Sequence, residues 1–409
     1  MLSIMKMIKP SIFFLILCLL QLACRHDKEP ALTNENILII QLFRNLGFLG
    51  RFEHASIKLP GGKKLLYCGG TNGMGLIHKS CYVFDEDQNS TIYVGELAKE
   101  RSFFEMHLLN TGKVLIAGGI GYNDVLHSRS ELFDPQTNSF SLGPNMIQGR
   151  IYFSTTELAN GKILFIGGIG VGGAILKTVE IYNPTTNVFS LSANQMTTER
   201  FYHTSSILPS GNVLIAGGNN ATSRLQSAEI YNTVADSFSA TGNLNLPRSR
   251  HVATVLQNGS VLLTSGRTGQ DSNDTTILQP LGDVYNPGGG TFSLTTGGMK
   301  FPRRAHRESI LSNGDVVVCG GYVYKSNSLI NTEPTNSCEL YQFAQNRYVD
   351  FYNLSIGRAN PTMNLLNNGN LFIIGGVSSD GFFAGDVNTS NSADLINSQT
   401  GSNVKIIPW

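Results

Sequence analysis

Four cysteines stand at matched places along the chain. Cys68 and Cys319 each immediately precede a glycine doublet, while Cys81 and Cys338 each lie one residue before a column that elsewhere holds an acid. In five other copies of the same pattern both places hold Ala, Ser, Ile, Val, Thr or Gly. If the two columns face each other on neighbouring antiparallel strands, a non-hydrogen-bonded pair sets the Cα atoms about 4.5 Å apart, within disulfide reach. The co-occurrence predicts two bridges, Cys68–Cys81 and Cys319–Cys338, each closing a short loop and contributing about 3 kcal/mol in an oxidising compartment. The alternative is four buried free thiols at small-residue positions. A shared redox or metal centre is disfavoured, because the pairs belong to different copies.

Charged residues recur as regularly. Arg51, Arg101, Arg150, Arg200, Arg248, Arg303 and Arg358 open the copies, and Glu131, Glu180, Glu229, Asp283, Glu339 and Asp394 stand later in six of them, with Tyr82 in the first. The simplest expectation is a set of structural ion pairs fixing one copy to the next, strongly sensitive to loss of one partner but adding little net stability. The other is a ring of Arg lining an anion-binding mouth, with Arg51, lacking an acid, left to serve a ligand. Three residues after the Arg come His54, His203, His251 and His306. One structural column of His reads as part of the fold rather than as a metal site.

The elements that must position these residues are short strands. In RFYHTSSILPSGNVLIAGG, from Arg200 to Gly218, two apolar runs flank Pro209-Ser210-Gly211. This reads as a hairpin whose Gly takes the turn's positive φ, ended by a doublet that bends sharply and allows close backbone approach. Six further copies carry doublets at Gly69-Gly70, Gly118-Gly119, Gly167-Gly168, Ser265-Gly266, Gly320-Gly321 and Gly375-Gly376. Each is followed by a second signature such as VEIYNPTTNVFSL from Val179. Seven copies of four short strands, at a period of about 50 residues, predict an all-β fold, a seven-bladed β-propeller of four-stranded antiparallel blades.

The motif resembles the kelch repeat over roughly residues 51 to 409, with Phe140, Phe189, Phe238, Phe292 and Tyr348 where the family's fourth-strand Trp usually stands. The dialect NGxVLIAGG with AEIYNPxTxxF is similar to the bacterial branch of the family and to the propeller of galactose oxidase. That likeness implies copper-ligating tyrosines, and Tyr202-His203 matches the Tyr-His pair, with Tyr152 at the equivalent place one copy earlier. No first-strand Cys is present to cross-link a Tyr, no appended C-terminal domain supplies a further His, and the two Tyr fall in adjacent blades. Copper-radical chemistry is therefore disfavoured, and no cofactor, metal or catalytic residue is assigned. Neither a nucleophile elbow nor a paired-carboxylate motif emerges.

The N-terminal stretch reads as an address. Lys6 and Lys9 precede an apolar run from Ile12 to Ala23, too short to span a bilayer comfortably, so residues 1–23 are expected to be a secretory signal. LLQLAC resembles the lipobox of bacterial lipoproteins, with Gln21 where Leu is usual, and implies acylation of Cys24. Residues 24–36 then form a flexible tether, and the propeller is expected over 37–409. ILIIQLF, residues 37–43, has the spacing of a fourth strand for the last blade and is preferred over the C-terminal NVKIIPW as the closing strand. The implied location is a lipid anchor in the bacterial cell envelope, at the outer membrane or cell surface. Of 30 basic residues, loss of Lys6 and Lys9 leaves 28 against 29 acids, which argues against nucleic acid and against membrane contact other than through the lipid.

Topology puts the Arg entrances and the loops after the doublets on one face. Loops near 267–281, 322–336 and 377–391 are the long ones. Arg267, Asp271, Tyr322, Tyr324, Lys325, Phe382 and Phe383 on them are the candidate ligand-binding residues, offering aromatic plates with polar neighbours. The expected function is a tethered module binding a protein or glycan on that face. The alternative is a carbohydrate-active enzyme, a sugar isomerase before a copper-radical oxidase, with binding preferred to catalysis.

Overall fold

The computed structural model describes residues 50–73, 75–269, 277–325, 331–378, 388–389, 392–400 and 403–408. Seven four-stranded antiparallel sheets, each built from hairpins in chain order, make a seven-bladed β-propeller. The blades begin at Ala55, Ser102, Ser154, Thr204, Val252, Arg307 and Thr362. Blade four is typical, with strands Thr204–Ile207, Val213–Ala216, Ala228–Asn232 and Ser237–Ala240. Its first turn closes through Gly211, at φ +80°, whose N–H donates to the Leu208 carbonyl.

Burial explains why the second strands are unbroken apolar runs. Val213–Ala216 is buried along its whole length, because both faces of the sheet pack against neighbouring blades. The core therefore lies between blades: Leu214 and Ala216 of blade four meet Val261, Leu263 and Tyr285 of blade five. The aromatic expected in each fourth strand faces a third-strand aromatic in blades two to six. Tyr231 pairs with Phe238 at 4.8 Å between ring centres, and Tyr341 with Tyr348 at 5.3 Å.

The doublets latch one blade to the next. Both members have positive φ in all seven copies, Ser265 included, at +48°. A Cβ on Gly218 would lie 2.8 Å from both the His203 Cβ and the Phe201 carbonyl oxygen. With that space free, the Gly218 N–H donates to the carbonyl of Arg248, in the following blade, at 2.9 Å. Gly376 of blade seven makes the same bond to Arg51 of blade one at 2.9 Å, closing the ring. His54–Thr362 (3.1 Å), Asn364–Ser56 (2.7 Å) and the stacked Phe84–Phe372 rings (4.2 Å) complete that seam.

The fourth strand of blade seven is Asn403–Pro408, paired with Ser392–Asn397. This corrects the preference for residues 37–43, which lie outside the described residues, as do the leader, Cys24 and the tether. The backbone ladder that holds a strand needs no particular side chain, so the sequence's lack of an aromatic at position 403 does not prevent the pairing. Both expected disulfides are present, Cys68–Cys81 in blade one and Cys319–Cys338 in blade six, each across directly facing residues with Cα atoms 4.2 Å apart. Among the described residues no helix is long and apolar enough to cross a membrane.

Candidate functional site

The first strands line the cavity, and the residue two after each entrance Arg lies just ahead of its strand, or within it in blade two. In blade order these are Glu53, Phe103, Tyr152, Tyr202, Arg250, Ala305 and Asn360, and all seven are left-handed, with φ between +52° and +57°. A non-glycine residue in that region is strained, and the strain is held by neighbours. Backbone N–H groups of Phe103, Tyr202, Arg250 and Asn360 donate to the carbonyls of Glu53, Tyr152, Tyr202 and Ala305, each in the preceding blade. The result is a stitched ring at one end of the channel, around a cavity of about 590 Å³ lined by these seven residues and by the first strands beneath them.

The ring is not uniform. Phe103 meets Tyr152 edge-on at 4.7 Å, Tyr152 lies against Tyr202 at 4.1 Å, and the Arg250 guanidinium sits 3.9 Å from the centre of the Tyr202 ring. Three aromatics and a cation thus form a continuous arc across blades two to five. Ala305 and Asn360 leave the opposite side open, and Glu53 ends the circuit. One layer further in, Glu105 of blade two and Arg307 of blade six also face the cavity.

Burial raises the Glu53 carboxyl to about 8, against the opposing pull of Arg250 and Arg307. Glu105 is raised to about 7, also by burial and also opposed by Arg307. Glu105 is exposed on the cavity side, whereas Glu53 is half-buried. Burial lowers Arg307, with Glu105 and Glu53 acting against it.

The recurring charged columns of the repeat are structural and lie beside this ring. Six entrance arginines pair with the acid of their own blade at 2.5–2.9 Å, almost fully buried. The acids also accept backbone N–H groups of the segment arriving from the previous blade, as Glu180 does from Ile147 and Gln148. The pairs therefore lie within blades and reach the neighbour through the connecting segment. Arg51 does not serve the cavity: it is buried, donates to the Gly69 and Ser80 carbonyls and the Ser80 hydroxyl, and lies 5.2 Å from the Tyr82 ring centre. Aromatic faces and carbonyls surround Arg51 where the other blades place the acid of this column.

The histidines tie blades together. His203 meets the Ser154 hydroxyl at 2.8 Å, His251 meets Thr204 at 2.9 Å and His54 meets Thr362 at 3.1 Å, each in the preceding blade. Blade five has Val252 at the matching place, and His306 turns instead to Thr264 (2.8 Å) and Glu308 (3.2 Å). Burial lowers all four rings below the ordinary His value. Tyr202 and His203 thus diverge, the phenol into the mouth and the imidazole into a blade seam. Among the described residues no group of three or more His, Cys, Asp or Glu is arranged to hold a metal ion.

The candidates from the post-doublet loops stand on the rim of the same face. Arg267 bridges to Ser249, next to Arg250, and Tyr322 bridges to Arg304, whose guanidinium lies 4.4 Å from the Tyr322 ring centre. The Tyr324 hydroxyl accepts the Leu278 N–H at 2.8 Å, tying the loops of blades five and six, and Lys325 is exposed. None of these four lines the cavity. Asp271, Phe382 and Phe383 lie outside the described residues. The sequence reading did not bring Glu53, Phe103, Glu105, Arg250 and Arg307 together. The available signal was a column, two after the Arg, that varies in size and charge while its neighbours repeat.

Comparison with protein-family models finds no match for this chain, and comparison with curated proteins finds none either.

Proposed function

We propose that this protein is an exported, lipid-tethered kelch-type propeller that binds a glycan at the channel mouth, as a binding module without chemistry of its own. The observation that carries the reading is the arc of Phe103, Tyr152 and Tyr202 running into Arg250 above an open cavity of about 590 Å³. Aromatic faces take the C–H faces of a sugar ring, and the polar groups opposite them, Asn360 and Glu53, meet hydroxyls. The concavity favours a glycan over a folded protein, which needs a broad, flatter patch. The kelch type is supported by the Arg, Gly-doublet and aromatic columns, and export by two disulfides. LLQLAC supports the lipid anchor.

A glycan array probed with the purified mature protein, beside Tyr202→Ala and the rim variants Arg267→Ala and Tyr322→Ala, tests this. Retained signal on the rim variants and lost signal on Tyr202→Ala is the expected outcome, and the reverse pattern moves the site to the rim loops. One observation favours a second reading, a sugar isomerase: two cavity carboxyls, Glu53 and Glu105, held near neutrality, where acid–base work is most efficient. Turnover of any array-positive sugar by the wild type, abolished in Glu53→Gln, would select it.

A further inference from the structure

We infer that the glycan bound at this mouth is acidic, presenting a sugar carboxylate to Arg250 and Arg307. The inference rests on the glycan reading and adds the charge of the ligand. Six of the seven entrance arginines are neutralised by a buried acid, yet the two arginines of the cavity are not. Among the described residues neither Arg250 nor Arg307 has a carboxylate oxygen within 4.0 Å. Glu53 and Glu105 share the cavity with them and exert only a longer-range pull.

Placement adds to the charge argument. The Arg250 guanidinium lies 3.9 Å from the Tyr202 ring centre, and Arg307 is held by one bond to the His306 carbonyl at 3.0 Å. A sugar carboxylate offers two oxygens that a guanidinium fork takes bidentately. A sugar ring on Tyr152 and Tyr202 carries a ring-attached carboxylate to that fork.

A pH signature follows. Glu53 is faced by Arg250, Arg307, Tyr202 and Tyr322, and Glu105 by Arg307. Both carboxyls are held above their ordinary range, Glu53 to about 8 and Glu105 to about 7. Near pH 6 they are largely neutral and leave the two guanidinia in excess. As the pH rises toward 9 they ionise and repel the ligand. Affinity therefore falls with rising pH, and Glu53→Gln flattens the upper part of that fall.

The test is an array of matched pairs, uronic-acid glycans beside their carboxyl-reduced counterparts, probed with the intact mature protein at pH 6.5. Signal confined to the acidic member, falling about tenfold or more in Arg250→Ala and in Arg307→Gln, is expected. Equal signal on both members overturns the acidic ligand and leaves the glycan reading standing. Signal on neither member of any pair overturns both. Thermal unfolding of each variant guards against misfolding, and Arg250→Lys, which keeps the charge but loses the fork, is expected to bind at an intermediate level. Arg250→Ala weakening both members equally also overturns the inference, since the loss would then be one of shape.

Discussion

Arg150 and Glu180 show how a repeated charge becomes structure. The pair is buried, 2.6 Å apart, and the acid's oxygens also hold two backbone N–H groups of the connecting segment. Glu180→Gln leaves an uncompensated buried guanidinium, so a loss of about 3–5 kcal/mol in urea unfolding is expected. A loss under about 1 kcal/mol would mean that the carbonyls around Arg150 suffice. His251 makes a different prediction. Its folded-state value is lowered to about 3, so it stays neutral when folded and takes a proton only when unfolded. The sign is therefore loss of stability as pH falls below about 6.5, amounting to about 2 kcal/mol at pH 5. Compared with the wild type, His251→Asn should show that much less loss between pH 7 and pH 5, and parallel curves would contradict it. These columns were legible because they recur, the ion pair in six blades and the histidine in four. The residue two after each Arg was not, because its left-handed backbone is imposed by hydrogen bonds between blades and leaves no mark on residue type.

At the scale of the element, the doublet carries the most constraint. Gly218 sits at φ +94° with backbone and side chain both 2.8 Å from the place of a Cβ. Gly211, in the hairpin turn, has φ +80° and open space around it. Gly211→Ala is expected to cost about 1 kcal/mol through backbone strain alone, and Gly218→Ala roughly 3 kcal/mol or more, since the latch to Arg248 must open. Similar costs for the two would deny the latch. The disulfides join second and third strands within a blade, and Cys68→Ser with Cys81→Ser is expected to lose about 3 kcal/mol without moving the cavity. Strand pairing here was readable from two cysteine columns co-occurring in two copies. The closing strand was misassigned because spacing alone does not distinguish two apolar runs of similar length, and Asn403 lacked the aromatic that marked its counterparts.

The whole molecule turns a linear repeat into a circle, so that one column of a 50-residue period becomes a ring around an axis. The period and the doublets made the circle legible, and the topology put the Arg entrances on the face where the cavity opens. What the sequence could not rank was depth on that face: the long loops drew attention to the rim, while the cavity is built from short first strands. The C-terminal strand completes blade seven, so removing residues 403–409 exposes the edge of Ser392–Asn397, and aggregation with a lowered melting temperature is expected. The central claim is that the aromatic arc at the channel mouth is where the ligand sits. Calorimetric titration of an array-selected glycan into the wild type and into Tyr152→Ala/Tyr202→Ala tests it most directly. The variant is expected to bind at least about tenfold more weakly, about 1.4 kcal/mol, with unfolding unchanged, and equal affinities for the two proteins would place the ligand elsewhere.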